Sequence, residues 1–198
     1  MIATERDSER IQKLRDAHEA WQQTAEAGRV FCIDETGSTV AMPRTRGRAP
    51  RGRPVQGRVP RCRGKVITII GALTLQGLVA VMTVLGGTSG DVFLAYVREV
   101  LGPELKPGDL VVLDNLGAHR NMRVRAEIES HGAKLIFQPP YSPDKNPIEL
   151  TWAWLKRYLR TAEARSREAI DTAIAWAMEV LPKDAPSAWF RRCGFVNQ

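Results

Sequence analysis

Asp34, Asp114 and Glu149 are the residues of this chain whose types and settings could do chemistry together. Asp34 closes the apolar run RVFCID, and Asp114 closes DLVVLD. Short runs of this kind read as buried strands, and open α/β sheets place their sites beyond the carboxyl ends of strands. Glu149 falls in the first turn of a helix expected to start after Asn146-Pro147. Three carboxylates brought from separate segments suit hard divalent cations, which prefer carboxylate oxygens and keep several waters. Two Mg²⁺ ions about 3.5–4 Å apart serve phosphodiester chemistry, activating an attacking hydroxyl and stabilising the leaving oxygen. Without metal such acids repel one another, which raises their pKa values and favours occupancy.

Each acid also has a purely local reading. Asp34 in Asp-Glu-Thr-Gly and Asp114 in Asp-Asn are good turn residues. Glu149, with Asn146 as N-cap and Pro147 at the first helical position, completes a capping-box-like start. Glu35 is set aside as a ligand, because neighbours on a strand point to opposite faces. Asn115 and His119 are auxiliary candidates. His119 could hydrogen-bond a scissile phosphate or orient a water, or serve only local hydrogen bonding in the first turn of a helix. His18 and His131 have no acids at ligand spacing. Cys32, Cys62 and Cys193 contain no CxxC pair, which argues against a disulfide framework or a zinc site and fits a reducing cytoplasm.

The elements that must hold these acids follow from periodicity. Residues 5–27 predict a polar amphipathic helix, with Ile11, Leu14, His18 and Trp21 as its stripe, ended by Gly28. A strand over 29–34 comes next. Then VITIIGALT (66–74) and LVAVMTVLG (78–86), joined at Gln76-Gly77, predict a hairpin. Thr88 or Ser89 caps a helix to about Leu101, a strand spans 109–114, and a helix runs from about Ala118 to Ser130. AKLIFQ (133–138) is a fifth strand. PPYSPDKNP leads into a helix over about Pro147–Thr161, a last clear helix covers 166–181, and the aromatic tail SAWFRRCGF docks on the core. Ile148, Trp152, Leu155 and Leu159 read as a core stripe. Three strands continued by strand–helix–strand crossovers describe an α/β fold, a ribonuclease H-like mixed five-stranded sheet flanked by helices. The chain divides into an N-terminal helix and linker (1–28), a core (29–162) and a C-terminal helical extension of it (163–198).

Charge gives the second functional pointer. The chain of 198 residues carries a net +7, yet Arg44 to Lys65 alone holds eight arginines and one lysine without an acid. A Gly/Pro/Arg segment of this kind cannot build a core and is expected to be a mobile arm or loop (43–65). Arginine forks grip phosphates, so Arg44, Arg46, Arg48, Arg51 and Arg53 are candidates for DNA backbone contact, against the alternative of a solvated basic loop. Lys156 and Arg157, beside Trp154, Tyr158 and Arg160, could meet DNA at the site entrance or simply form a basic helix face. No apolar run approaches the roughly 20 residues of a membrane span, and the charged N-terminus is neither a signal peptide nor a lipid anchor.

Taken in order, IDETG, VVLDNLGAH and PPYSPDKNPIELTWAWLK resemble the signatures of the mariner-like insertion-sequence transposases of the DDE superfamily. Thirty-four residues separate Asp114 from Glu149, the spacing of that family's glutamate branch, and RGRAPRG in the basic loop also looks like the family. The resemblance runs from about Phe31 to the terminal WFRRCGF. It implies a ribonuclease H-like catalytic domain with Asp34, Asp114 and Glu149 as ligands of two Mg²⁺ or Mn²⁺ ions. It also implies cleavage and strand transfer at transposon ends, a target usually at TA, and a homodimer on DNA. Only 28 residues precede the first expected strand, too few for the helix-turn-helix modules of such enzymes. A separate end-recognition module is therefore an expected partner, and a bacterial cytoplasmic location on the nucleoid is expected. Two alternatives stay open: a DNA-binding remnant without catalysis, and a ribonuclease H-type nuclease without joining activity.

Overall fold

A computed structural model describes residues 8–58, 60–62, 64–115 and 121–196. Five strands form one sheet: β1 (Val30–Ser38), β2 (Ile67–Thr74), β3 (Gly77–Leu85), β4 (Leu110–Leu113) and β5 (Lys134–Phe137). Their spatial order is β3-β2-β1-β4-β5. The first three are antiparallel neighbours, while β4 runs parallel to both β1 and β5. The hairpin closes where Thr74 pairs with Gly77, whose φ of 130° only glycine adopts readily.

Helices cover both faces. On one side α4 (Ile148–Ala162), α5 (Arg167–Val180) and α6 (Ala185–Arg192) enclose a core built on Val30, Cys32, Ile69 and Leu73. The expected stripe of Trp152, Leu155 and Leu159 lies in that core, and the tail's Phe190 and Phe195 dock there. On the other side α2 (Gly90–Tyr96), prolonged by a π-helical turn over Val97–Leu101, and α3 (Met122–Ser130) cover Ile33, Ile70 and Leu113. Ser89 caps α2 by accepting from the Val92 N–H, and Ser166 caps α5 by accepting from the Ala169 N–H.

Three expectations need correction. The strand expected to end at Asp34 continues to Ser38, because β2 pairs with it throughout, from Cys32–Leu73 to Ser38–Ile67. The described part of α3 begins at Met122 rather than near Ala118, since Asn121 is extended and its side chain accepts from the Arg123 N–H. The first helix, α1 (Glu9–Thr24), buries Arg15, His18 and Gln22, while Leu14 stays 43% exposed. Its inner face is largely polar because it rests on the polar connector before α4: Arg15 donates to Ser142 and Asp144, and Gln22 donates to the Lys145 carbonyl, while Trp21 packs on the core beside Phe195.

Candidate active site

Strand alternation aims the acids. Cys32 belongs to the core beneath α4 and Ile33 to the core beneath α2, so Asp34 turns toward α4. In β4, Val112 lies in the first core and Leu113 in the second, so the next residue, Asp114, turns the same way. The parallel register pairs Cys32 with Val112, which brings Asp34 level with Asp114 two residues further on. β4 ends at Leu113 while β1 runs on, so Asp34 lies mid-strand yet beside the point where its parallel neighbour stops. Glu35, by the same alternation, takes the opposite face.

Glu149 arrives on α4. Asn146 starts that helix by accepting from the Ile148 N–H through Oδ1 at 3.3 Å, and Pro147 already has helical angles (φ −62°, ψ −25°). A backbone N–H can only donate, so Oδ1 must be the acceptor and Nδ2 of Asn146 is free to donate. It does so to Oε1 of Gln138, also at 3.3 Å. Asn115 Nδ2 in turn donates to the Gln138 carbonyl. This amide ladder joins the ends of β4 and β5 to the start of α4. Gln138 is 5% exposed, and its remaining donor, Nε2, has no partner among the described residues.

Asp34, Asp114 and Glu149 border a single cleft of about 400 Å³, together with Asn115, Gln138 and Asn146. Burial pushes the Asp34 carboxyl up to about 7, with repulsion from Glu149 and Asp114 adding to it. Donation from the Glu35 backbone N–H and the Trp152 indole N–H offsets part of that rise. Glu149 is also raised, chiefly by burial and further by Asp114, while Lys156 pulls it down. No three His, Cys, Asp or Glu side chains among the described residues are drawn close enough to enclose a metal ion. The cleft is open, and its carboxylate and amide oxygens fit a hard cation that retains waters.

The model of the DDE superfamily endonucleases matches residues 29–171. The chain belongs to that family. Comparison with curated proteins yields no match. Among solved structures, the chain resembles a Mos1 transposase paired-end complex with left transposon end, at a TM-score of 0.78 and 16% identity. That likeness covers 98% of this chain and 61% of the Mos1 chain. The Mos1 mariner paired-end complex with Mn gives a TM-score of 0.77 at 15% identity, covering 98% and 61%. The catalytic domain of Mos1 mariner transposase gives 0.71 at 14% identity, covering 98% and 91%. At these identities the likeness concerns the fold, and the five-stranded mixed sheet flanked by helices is ribonuclease H-like. The chain thus spans about three-fifths of the Mos1 chains in the paired-end complexes.

The basic residues of the chain divide into groups. Arg44, Arg46 and Arg48 line a second cleft, of about 590 Å³, with Arg58, Arg165 and Glu163. Arg44 is tied down there, pairing with Glu163 at 2.9 Å and donating to the Thr161 carbonyl at 3.1 Å. Arg51 and Arg53 are exposed on the loop and do not line that cleft. Lys156 lies close enough to Glu149 to influence its carboxyl, whereas Arg157 is exposed on the same helix. Trp154 and Tyr158 stack at 5.7 Å. His119 lies outside the described residues. No helix among the described residues is long and apolar enough to cross a membrane.

Sequence reasoning did not find the amide ladder, the contact between α1 and the connector, or the polar use of Trp152. Each depends on partners far apart in the chain, such as Gln138 with Asn146 or Arg15 with Asp144. The one available signal was the density of polar side chains in PPYSPDKNP beside an apolar helix.

Proposed function

We propose that this chain is the catalytic domain of a transposase that cuts DNA at transposon ends and joins the freed ends to target DNA. The observation that carries this reading is the arrival of Asp34, Asp114 and Glu149 on one side of the sheet around one cleft. Asp34, Asp114 and Glu149 would hold two Mg²⁺ or Mn²⁺ ions. When bound, such ions activate the attacking oxygen and stabilise the leaving one. The carboxylates neutralise and position them, and no covalent intermediate on the protein is needed. In the first step water attacks a phosphodiester and the P–O bond to the element's end breaks, freeing a 3′ hydroxyl. In the second, that hydroxyl attacks a target phosphodiester, forming a P–O bond to the element's end while the target's own P–O3′ bond breaks and releases a target 3′ hydroxyl, TA being the target this family implies. Asn115 and Gln138 line the cleft beside the acids, where they can orient substrate; His119 keeps its auxiliary role as a proposal.

The arginine-rich loop supplies the DNA grip. Glu149 and Glu163 are fourteen residues apart on α4 and its C-cap, so about 21 Å of helix separates the two clefts. That is the rise of roughly six base pairs at about 3.4 Å each. Arg44, Arg46, Arg48, Arg51 and Arg53, with Lys156 and Arg157 nearer the acids, would follow the phosphates over that distance. A homodimer on paired ends, a separate helix-turn-helix module for end recognition and a bacterial location on the nucleoid belong to the same reading. So does the division into an N-terminal helix (1–28), core (29–162) and helical extension (163–198).

The test is strand joining. A labelled duplex with a recessed 3′ hydroxyl end is incubated with the protein, Mn²⁺ and supercoiled plasmid, and labelled plasmid is sequenced across the junction. Joined product that depends on the 3′ hydroxyl supports a transposase. Hydrolysis without joining leaves a nuclease, and binding without either leaves a DNA-binding remnant.

A further inference from the structure

Trp152 sits three residues beyond Glu149 on α4, about one turn along the same side of the helix. It is 2% exposed and packs in the core beneath α4. A phenylalanine could fill such a place without a polar atom, yet the indole Nε1–H donates to Asp34 Oδ2 at 3.2 Å. The backbone around it is shaped to admit the ring. Gly71 pairs with Asp34 across β1 and β2. A Cβ on Gly71 would stand 3.2 Å from Cη2 of Trp152 and 3.2 Å from Cδ1 of Leu78. Opposite Gly71 the register of β3 shifts: Ile70 pairs with Met82 and Ala72 with Val79, leaving Ala80 and Val81 across from one residue. Ala80 adopts a φ of 49°, consistent with a bulge at this point.

We propose that Trp152 is a positioning residue for the metal site, its indole N–H holding the Asp34 carboxylate in the orientation that metal binding needs. This rests on the reading of Asp34, Asp114 and Glu149 as metal ligands. An ionised carboxylate offers about four lone-pair sites. The indole takes one on Oδ2, fixes the rotation of the group and leaves the others for a cation. Because the same helix carries Glu149, the hydrogen bond also ties α4 to β1. The contact thereby adds to the core packing of α4 in fixing the separation of two ligands from different elements. Partners of this kind behind a metal ligand affect metal affinity by about 10–100-fold when removed.

The test places three residues at position 152 of the full chain. Phenylalanine removes the N–H, 3-benzothienylalanine replaces it with sulfur in the same ring outline, and 7-azatryptophan keeps it. Mn²⁺ binding is read from the electron paramagnetic resonance signal of free Mn²⁺, with the melting temperature measured beside it. The expected result is wild-type affinity for 7-azatryptophan and a dissociation constant about tenfold higher for benzothienylalanine at unchanged melting temperature. Trp152→Phe should weaken binding to a similar degree. Wild-type affinity in the benzothienylalanine protein would overturn the proposal and leave Trp152 a packing residue. Asp34→Asn serves as the control: if it does not reduce Mn²⁺ binding, the metal-site reading fails and the positioning role fails with it.

Discussion

Arg15 and Asp144, 129 positions apart in the chain, meet in a two-pronged ion pair, Nη1 to Oδ1 at 3.1 Å and Nη2 to Oδ2 at 2.8 Å. The arginine side chain is only 8% exposed, and its Nη1 also donates to the Ser142 hydroxyl at 2.6 Å. Two neighbouring contacts reinforce the pair: Lys145 with Glu19 at 2.7 Å, and Gln22 with the Lys145 carbonyl at 2.8 Å. The first helix therefore braces the connector whose last residues launch the helix carrying Glu149. Arg15→Met should cost about 2–3 kcal/mol, since it leaves Asp144 and Ser142 without their charged donor. For a domain of this size that is a fall of roughly 4–12 °C in melting temperature. Calorimetry reads it directly, and an unchanged melting temperature would remove the brace from the account.

The Asp34 carboxyl predicts an inverted pH dependence for the metal-free protein. Its folded pKa, near 7, stands above the ordinary carboxylate range, so the folded state favours the protonated form. The associated stability is present below about pH 4 and is lost as pH rises through 7. Asp34→Asn should therefore melt higher than wild type at pH 8 in the presence of a chelator, by roughly 2–4 °C per kcal/mol relieved. The two proteins should converge toward pH 4. An equal difference at both pH values would show that charge is not the cause.

His18 predicts the opposite slope. Burial lowers its pKa to about 4, helped by Lys145 and Arg15, and its Nε2 has no partner among the described residues. A depressed folded pKa contributes stability that is full above the unfolded value and lost as pH falls from about 6.5 toward 4. Over that interval the loss is roughly 2–3 kcal/mol. His18→Gln should flatten the acid limb of the melting curve, and a limb as steep as the wild type's would assign acid sensitivity elsewhere.

Much of this was legible in the sequence because it depends on local patterns. The β-branched runs of 66–74 and 78–86 specify the hairpin, Ser89 starts the helix it was expected to cap, and the last expected helix forms and buries Ile170, Ile174 and Ala177. The placing of Asp34 on β1, Asp114 just past β4 and Glu149 in the first turn of α4 was also foreseen. The true end of β1 was not, because Ser38 is held by pairing with Ile67 and not by its own residue type. The inner face of α1 was read only in part: His18 is buried and Trp21 packs on the core, but Leu14 is exposed and Arg15 takes its place inside. Arg15 is buried only because Asp144 and Ser142 come from elsewhere to satisfy it, and no periodicity announces a polar partner 129 residues away.

The basic loop should show itself through salt. Each phosphate that an arginine neutralises contributes about 0.9 to the slope of log affinity against log salt. Replacing Arg46 and Arg48 together with alanine should reduce that slope by about two and weaken all duplex sequences alike. Fluorescence anisotropy on two unrelated duplexes checks both parts. Arg44→Ala should change the slope less, because its guanidinium already pairs with Glu163. A sequence-dependent loss would instead place base contacts on the loop.

The central claim is that Asp34, Asp114 and Glu149 form one metal-dependent cutting site. Its most direct test is conversion of supercoiled plasmid to the nicked form by the purified protein with Mn²⁺. Wild type is run beside Asp34→Asn, Asp114→Asn, Glu149→Gln and a chelator control. Nicking should be abolished by the chelator and reduced by each substitution at least a hundredfold, on the order of 3 kcal/mol in the barrier. Nicking that survives all three substitutions would contradict the site.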